Sequence, residues 1–95
     1  MAESVVIVHN LGDPRIENEI KRRLETALKN YHGWRVTIRG TQENDDWEVK
    51  GENSHYQTSW TALPITFEDQ TVENVIQVVM EQVALFRGSF YFGAE

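Results

Sequence analysis

Three stretches of the chain alternate apolar and polar residues with the two-residue period of a β-strand. Their inward positions are Trp34, Val36 and Ile38, then Trp47 and Val49, and then Tyr56, Thr58, Trp60 and Ala62. Because successive side chains of a strand point to opposite faces, each stretch predicts a strand with one buried and one solvated face. Three such strands in succession favour an antiparallel meander, with its second turn at residues 51–54 and Pro64 closing its third strand.

The spacing between the first two alternating strands constrains how they pair. A two-residue turn at residues 43–44 places Gly40 opposite Trp47. Ile38 then lies opposite Val49, and the apolar side chains of both strands point to one face. A three-residue loop would turn Trp47 to the polar face, so the pattern predicts the two-residue register.

A run of four β-branched residues, from Val5 to Val8, predicts another strand near the start of the chain. No polar residue interrupts the run. We therefore expect this strand to be buried on both faces or to lie in the interior of the sheet. Turn-prone residues follow it at positions 9–13.

The chain after residue 13 has the 3.6-residue period of an amphipathic helix. Asp13 can cap the first backbone N–H groups, Pro14 is tolerated at the first helical position, and Gly33 can end the helix. The apolar positions are Ile16, Ile20, Leu24, Ala27, Leu28 and Tyr31. Three acidic residues on the outer face precede a basic residue by four positions, which predicts ion pairs along the helix. These pairs are Glu17 with Lys21, Glu19 with Arg23, and Glu25 with Lys29.

A second helical period starts at Asp69 or Thr71 and runs to Phe86. Its apolar positions are Val72, Val75, Ile76, Val79, Met80, Val83 and Phe86. Val78 and Leu85 interrupt the polar side; because they are seven residues apart, they lie along one line of the helix and need a cover. The tail that follows contains Phe90, Tyr91 and Phe92. It forms either a short C-terminal strand or that cover.

These elements occur in the order β-α-β-β-β-α, with the short C-terminal strand as an open addition. A chain of 95 residues supports one core, so we expect residues 1–95 to form a single domain. We predict an α+β two-layer sandwich, in which a mostly antiparallel sheet carries both helices on one face. This order resembles that of ferredoxin-like and related sandwiches, a likeness of architecture that implies no function.

Charge is distributed unevenly along the chain. Residues 1–42 contain seven basic and five acidic residues, residues 43–95 contain two basic and ten acidic residues, and the net charge is −6. This balance disfavours nucleic acid as a partner, since phosphate binding requires clustered Lys and Arg. The acidic part is either a solvated surface that promotes solubility or a face for a basic partner, as in a nucleic-acid mimic.

Several kinds of chemistry are absent from the sequence. The chain contains no cysteine, which excludes disulfides, thiolate metal sites and cysteine nucleophiles. His9, His32 and His55 lack the short spacing of metal ligands, so we expect no metal and no cofactor. The three tryptophans fall on inward strand faces, which favours core packing over a binding platform. No apolar run approaches the roughly 20 residues of a membrane-spanning helix, and we expect a soluble, cytoplasmic protein.

The loop after the first strand is the candidate ligand site. Its residues His9, Asn10 and Asp13 lie between the carboxyl end of a strand and the amino end of a helix, where open α/β sheets often bind ligands. The loop lacks a phosphate-binding glycine pattern, however, and Asp13 is needed as the helix cap.

These observations predict a non-catalytic protein-interaction domain that forms a homodimer or binds another protein. The interface candidates are Val78, Leu85, Phe90, Tyr91 and Phe92. We do not expect an enzyme, because no motif brings a nucleophile, an acid or a base within reach of another. Two alternatives stay open. One is an acidic regulator that binds a basic protein surface, and the other is a small enzyme or ligand-binding protein that uses residues 9–13.

Overall fold

Four strands form one mixed sheet, and two helices pack on one of its faces. A computed structural model describes residues 4–41, 45–54, 57–62 and 64–93; the side chains of Phe67 and of residues 86–93 lie outside the description. The elements are β1 (Val5–His9), α1 (Pro14–Ala27), a 3₁₀ turn (Leu28–Asn30), β2 (Trp34–Gly40), β3 (Trp47–Asn53), β4 (Thr58–Thr61), a second 3₁₀ turn (Phe67–Asp69) and α2 (Val72–Gly93). The predicted α+β sandwich is confirmed.

The strands lie side by side in the order in which they follow along the chain. β1 pairs with β2 in parallel, because α1 carries the chain back, whereas β2, β3 and β4 form an antiparallel meander. Gly40 lies opposite Trp47. Ile38 lies opposite Val49, so the register predicted from the apolar pattern is confirmed. The turn residues 42–44 lie outside the described part of the chain.

The inner face of the sheet and the two helices enclose an apolar core. Its buried members are Val6, Ile20, Leu24, Leu28, Trp34, Val36, Ile38, Trp47, Val49, Trp60, Ile65, Val75, Val79 and Val83. Every residue predicted to point inward from β2 and β3 is buried, whereas Arg35 and Arg39 are exposed. The prediction of a sheet with one solvated face is therefore confirmed. Tyr56, also predicted to point inward, lies outside the described residues.

β1 is an edge strand with one exposed face, so both alternatives predicted for it, burial on both faces and a place in the interior of the sheet, are wrong. On its inner face Val6 is 2 % exposed, but on its outer face Val5 is 48 % exposed and Ile7 39 %. The helices cover one face of the sheet only, so apolar character on the other face brings no burial. An uninterrupted apolar run occurs both in strands that are buried on two faces and in strands with one exposed face, so the run does not distinguish them.

β3 continues through residues 51–53, where the sequence predicted a turn. Gly51 lies opposite Trp60, and a Cβ atom at Gly51 would lie 2.5 Å from two carbons of the Trp60 indole. The missing side chain lets the indole pack directly on the strand, which explains a glycine inside a strand. Asn53 is buried two residues later, and its Nδ2 donates to the backbone oxygen of His32 at 2.9 Å.

α1 begins at the predicted residue and ends earlier than predicted. The Asp13 carboxylate accepts a hydrogen bond from the backbone N–H of Arg15 at 2.9 Å, and Pro14 is the first helical residue. The helix ends at Ala27, and a 3₁₀ turn leads from it towards Gly33. The φ of 81° at Gly33 turns the chain into β2, so this glycine directs the strand and does not end the helix.

A tertiary ion pair joins the two helices. Arg23 donates two hydrogen bonds to the Glu73 carboxylate, at 2.5 and 3.1 Å. The three pairs predicted along α1 are not among the ion pairs of the described residues. Glu17 instead accepts a hydrogen bond from the backbone N–H of Leu11. The hydrogen bonds to the Glu73 carboxylate raise the pKa of Arg23. The same hydrogen bonds and the positive charge of Arg23 lower the pKa of Glu73.

Replacing Glu73 by glutamine is expected to lower the melting temperature slightly at neutral pH. Because the pKa of Glu73 is lowered in the folded state, its contribution is present above the pKa of the unfolded chain and is lost as the pH falls through the folded-state pKa. The difference from wild type should therefore vanish in acid, and also at high salt, because the pair is exposed.

Thermal unfolding followed by circular dichroism measures both trends for Glu73→Gln. The control is Glu68→Gln, which removes an exposed carboxylate that has no ion pair among the described residues. A melting-temperature difference that persists in acid would show that the ion pair is not its cause.

α2 is longer than predicted and ends at Gly93. The Thr71 hydroxyl accepts a hydrogen bond from the backbone N–H of Asn74 at 3.1 Å, so Thr71 caps the helix. The helix continues through Gly88, and the alternative of a short C-terminal strand is therefore wrong. A glycine inside a helix costs only about 1 kcal/mol relative to alanine, which neighbouring residues can offset.

The chain after β4 returns to β3 before it enters α2. Trp47 and Ile65 exchange two backbone hydrogen bonds, at 3.0 and 2.9 Å. β4 itself ends at Thr61, so Ile65 belongs to a separate β4 extension that contacts β3 through this isolated bridge. Pro64, which has no backbone N–H, follows the end of β4, in agreement with its predicted place beyond the strand.

Candidate functional site

The loop between β1 and α1 contains the three ligand-site candidates. His9 is exposed at the end of β1, and Asn10 follows with a left-handed φ of 61°. Asp13 lies at the start of α1, where its carboxylate caps the helix. The structure places the three residues along one loop, with the Asp13 carboxylate already engaged by the backbone.

Two residues outside this set hold the loop against the sheet and the helix. The Glu17 carboxylate accepts a hydrogen bond from the backbone N–H of Leu11 at 2.9 Å. At Gly40 a Cβ atom would lie 2.0 Å from the carbonyl oxygen of Asn10, so the loop packs on a position that has no side chain. Sequence analysis missed both positioning residues. The available signal for Glu17 was its place in the first helical turn, where backbone N–H groups attract a carboxylate.

The histidines lie in different parts of the fold. His9 ends β1, and His32 is exposed shortly before β2, while His55 lies outside the described residues. Among the residues that the structure describes, no group of three or more His, Asp and Glu side chains could hold a metal ion. His9 lies beside Arg39 near the end of β2, whereas His32 precedes the start of β2, so the two histidines lie at opposite ends of these parallel strands.

An open cleft of about 530 Å³ crosses one end of the sheet. Its charged residues, Arg35 and Glu52, lie opposite each other in register and are exposed. Exposed groups lack the water-excluding surroundings in which electrostatic interactions are strengthened for catalysis. The cleft therefore gives little support for an active site.

The interface candidates on α2 lie in two different environments. Val78 packs against the core and lines a groove of about 340 Å³ together with Ile65 of the β4 extension. Leu85, one heptad further along α2, is 64 % exposed. The line of residues predicted from the seven-residue spacing is thus divided, because the chain partly covers Val78 and leaves Leu85 open. The side chains of the remaining candidates lie outside the description; these are Phe90, Tyr91 and Phe92.

The outer face of β1 carries an apolar surface that sequence analysis missed. Val5 and Ile7 are exposed there, beside Arg35 and Thr37 of β2. The signal that could have predicted this surface is the two-layer architecture itself, which leaves one face of the sheet without helices. Two helices cover one face of a four-stranded sheet, so an apolar run in any of its strands exposes alternate side chains.

No protein-family model, curated protein or solved structure matches this chain. Among the helices that the structure describes, none has the length and apolar character required to cross a membrane. A two-layer α+β architecture hosts many unrelated functions. The chain's own surfaces therefore carry the functional proposal.

Proposed function

We propose that this chain is a non-catalytic protein-interaction domain that associates with itself. The observation that carries the proposal is the 64 % exposure of Leu85, which follows Val83, the last buried residue among the described side chains of α2. The helix continues to Gly93, ten residues beyond Val83, or about 15 Å at the rise of an α-helix. An exposed apolar residue at the start of an apolar helical segment is typical of a surface that another chain covers.

The composition of this segment supports an apolar contact. The large apolar residues of the sequence between positions 84 and 93 are Leu85, Phe86, Phe90, Tyr91 and Phe92, and the single charged residue is Arg87. Covering Leu85 alone would contribute about 1.5–3 kcal/mol, less than the roughly 4–15 kcal/mol that association costs. The aromatic residues must therefore join the contact. In a dimer with two-fold symmetry each aromatic residue contributes to the contact from both copies, which favours a second copy as the partner.

A second candidate function is the regulation of a basic protein surface. Asp69 and Glu81 are among the residues that line the groove beside Val78, and a carboxylate is a suitable partner for a Lys or Arg side chain. Binding of that kind weakens steeply with added salt, whereas association through apolar residues does not. A salt titration of the assembly therefore separates the two functions.

Sedimentation at micromolar concentration tests the proposed self-association. We expect the wild type to sediment as a dimer or a larger assembly, and Leu85→Asp to give a smaller species, because the change places a charge in an apolar contact. Ala84→Asp is the matched control, since it adds the same charge at the preceding exposed position, about 100° around the helix. Circular dichroism verifies that both variants fold. A monomeric wild type, or an unchanged assembly of Leu85→Asp, would contradict the proposal.

A further inference from the structure

We propose that the free edge of β1 pairs antiparallel with β1 of a second copy, which joins the two sheets into one sheet of eight strands. The inference rests on one part of the proposed function, namely that the chain associates with itself. It names a different surface, the edge formed by Val5–His9, to which Leu85 does not belong. The two surfaces can therefore be tested separately.

β1 has the properties of an edge that is open to pairing. β2 is its only neighbour among the described strands, so about half of its backbone N–H and C=O groups point away from the sheet. Protein sheets commonly block such edges with Lys, Pro or a bulge, and Val5–His9 contains no Lys, Arg, Asp, Glu or Pro. Val5 and Ile7 are 48 % and 39 % exposed, so pairing would also remove apolar surface from water.

The alternation of side chains and the full overlap of the two strands together select one register. Opposite residues of an antiparallel pair point to the same face, so outward residues must meet outward residues. Under two-fold symmetry this condition places the axis on a residue, and an axis at Ile7 pairs all five residues of both strands. Ile7 then faces Ile7 of the second copy, and Val5 faces His9 of the second copy.

The charges beside the edge are compatible with this register. On the outer face, Arg39 donates a hydrogen bond to Glu48 at 2.8 Å, and Arg35 lies opposite Glu52. The arginines of the two copies would be separated by three strand spacings, about 14 Å. That distance exceeds the Debye length of about 8 Å at physiological ionic strength, so their repulsion is screened. The seam between the strands is apolar at its centre.

The helix layer also has the width that a second copy requires. α1 adjoins β1, and α2 lies next to α1. Each copy thus carries two helices, each about 10 Å wide, over four strands spaced about 4.8 Å apart. Because the layer and the sheet have nearly equal widths, joining the sheets would bring the α1 helices of the two copies side by side beneath the seam.

Contact between the α1 helices supplies area that the strands alone lack. Pairing over five residues involves far fewer than the roughly 20–30 residues per side of a standard interface, which buries about 800 Å² per partner. Lys21 and Glu25 are exposed, and each lies about 160° around α1 from Arg23, whose side chain contacts α2. Both therefore lie on the flank away from α2. Under a two-fold axis, Lys21 of one copy and Glu25 of the other are complementary in charge.

Engineered cysteines test the seam directly, because the chain has no cysteine of its own. Ile7→Cys places two thiols at the axis, where opposite Cα atoms lie about 4.5–5.5 Å apart, within the range of a disulfide. We expect Ile7→Cys to form disulfide dimers under mild oxidation at least about tenfold faster than Thr37→Cys. Thr37 is the matched control, since it lies beside Ile7 on the same face, one strand further from the seam.

Two further variants test the register. Val5→Cys and His9→Cys are expected to form a mixed disulfide when the two proteins are combined, because these residues face each other across the seam. Neither variant alone should crosslink efficiently, since its two cysteines would be about 13 Å apart along the paired strands. A rapid disulfide in Val5→Cys alone would overturn the register.

The cysteine variants are made in the Leu85→Asp background as well as in the wild type. Rapid crosslinking of Ile7→Cys in both backgrounds supports the β1 seam, whatever the end of α2 contributes. If Ile7→Cys crosslinks no faster than Thr37→Cys in one or both of these backgrounds, the proposed seam is overturned. Sedimentation of Leu85→Asp alone reports on the α2 contact, so failure of one proposal is distinguishable from failure of the other. Circular dichroism verifies that each variant is folded.

Discussion

Replacing Leu24 by alanine is expected to destabilise the protein by about 2–5 kcal/mol, the range for truncating a buried leucine. Leu24 has no exposed surface and belongs to the core that α1 shares with the sheet and α2. The loss combines the transfer free energy of the removed atoms with the cost of the cavity that they leave. Since a domain has only about 5–15 kcal/mol of stability in total, the variant should unfold at markedly lower denaturant concentration.

Denaturant unfolding followed by circular dichroism measures the effect of Leu24→Ala. Arg22→Ala on the same helix is the control, because this exposed residue is expected to change stability by less than about 0.5 kcal/mol. If Leu24→Ala lowers the free energy of unfolding by less than about 1 kcal/mol, the effect is below the range for a well-packed buried leucine. That result would contradict the packing described for α1.

Replacing Gly51 by alanine is expected to destabilise the protein by about 1–3 kcal/mol, the cost of overpacking a core. The backbone alone predicts the opposite sign, because Gly51 is not among the residues with positive φ, and a glycine inside a strand is less stable than alanine by about 0.5–1 kcal/mol. The indole of Trp60 decides the sign. An alanine Cβ would lie 2.5 Å from two of its ring carbons, and the buried ring has little room to move.

A double-mutant cycle with Trp60→Leu isolates this contact. Without the indole, Gly51→Ala should cost little or become stabilising, so the coupling free energy is expected to exceed about 1 kcal/mol. Denaturant unfolding of the four proteins supplies the measurement. Losses that simply add would show that something other than the Trp60 ring opposes a side chain at position 51.

The proportions of the fold account for both proposed interaction surfaces. α2 has 22 residues, about 33 Å, whereas β3 has seven residues, about 23 Å, so the helix extends beyond the strands that it covers. Leu85 is exposed because it lies on the side of this helix that faces away from the core, about 160° around from the buried Val83. The exposed Val5 and Ile7 follow from a sheet with helices on one face only. An apolar residue at either place remains in water until a second chain covers it.

Local patterns determined the elements and the faces that they bury. The two-residue alternation of β2 and β3 specified which side chains enter the core, and parity then favoured Trp47 opposite Gly40 over Trp47 opposite Thr41. The cap at Asp13 could also be predicted, because it involves a backbone group only two residues away. Each of these features depends on neighbours within a few residues or on a period, and a sequence displays both directly.

The tertiary structure alone decided which apolar residues are covered and which charges pair. A β-branched run is the same whether one or both faces of its sheet are covered, so only the layering of the fold exposes Ile7 on the outer face of β1. The seven-residue spacing that grouped Val78 with Leu85 does not predict the β4 extension, whose Ile65 lines a groove with Val78 but not with Leu85. Arg23 pairs with Glu73 across the helices rather than along α1, because exposed ion pairs differ little in free energy and packing selects among them. Coverage depends on the number, length and order of layers, and no local window of sequence contains these quantities.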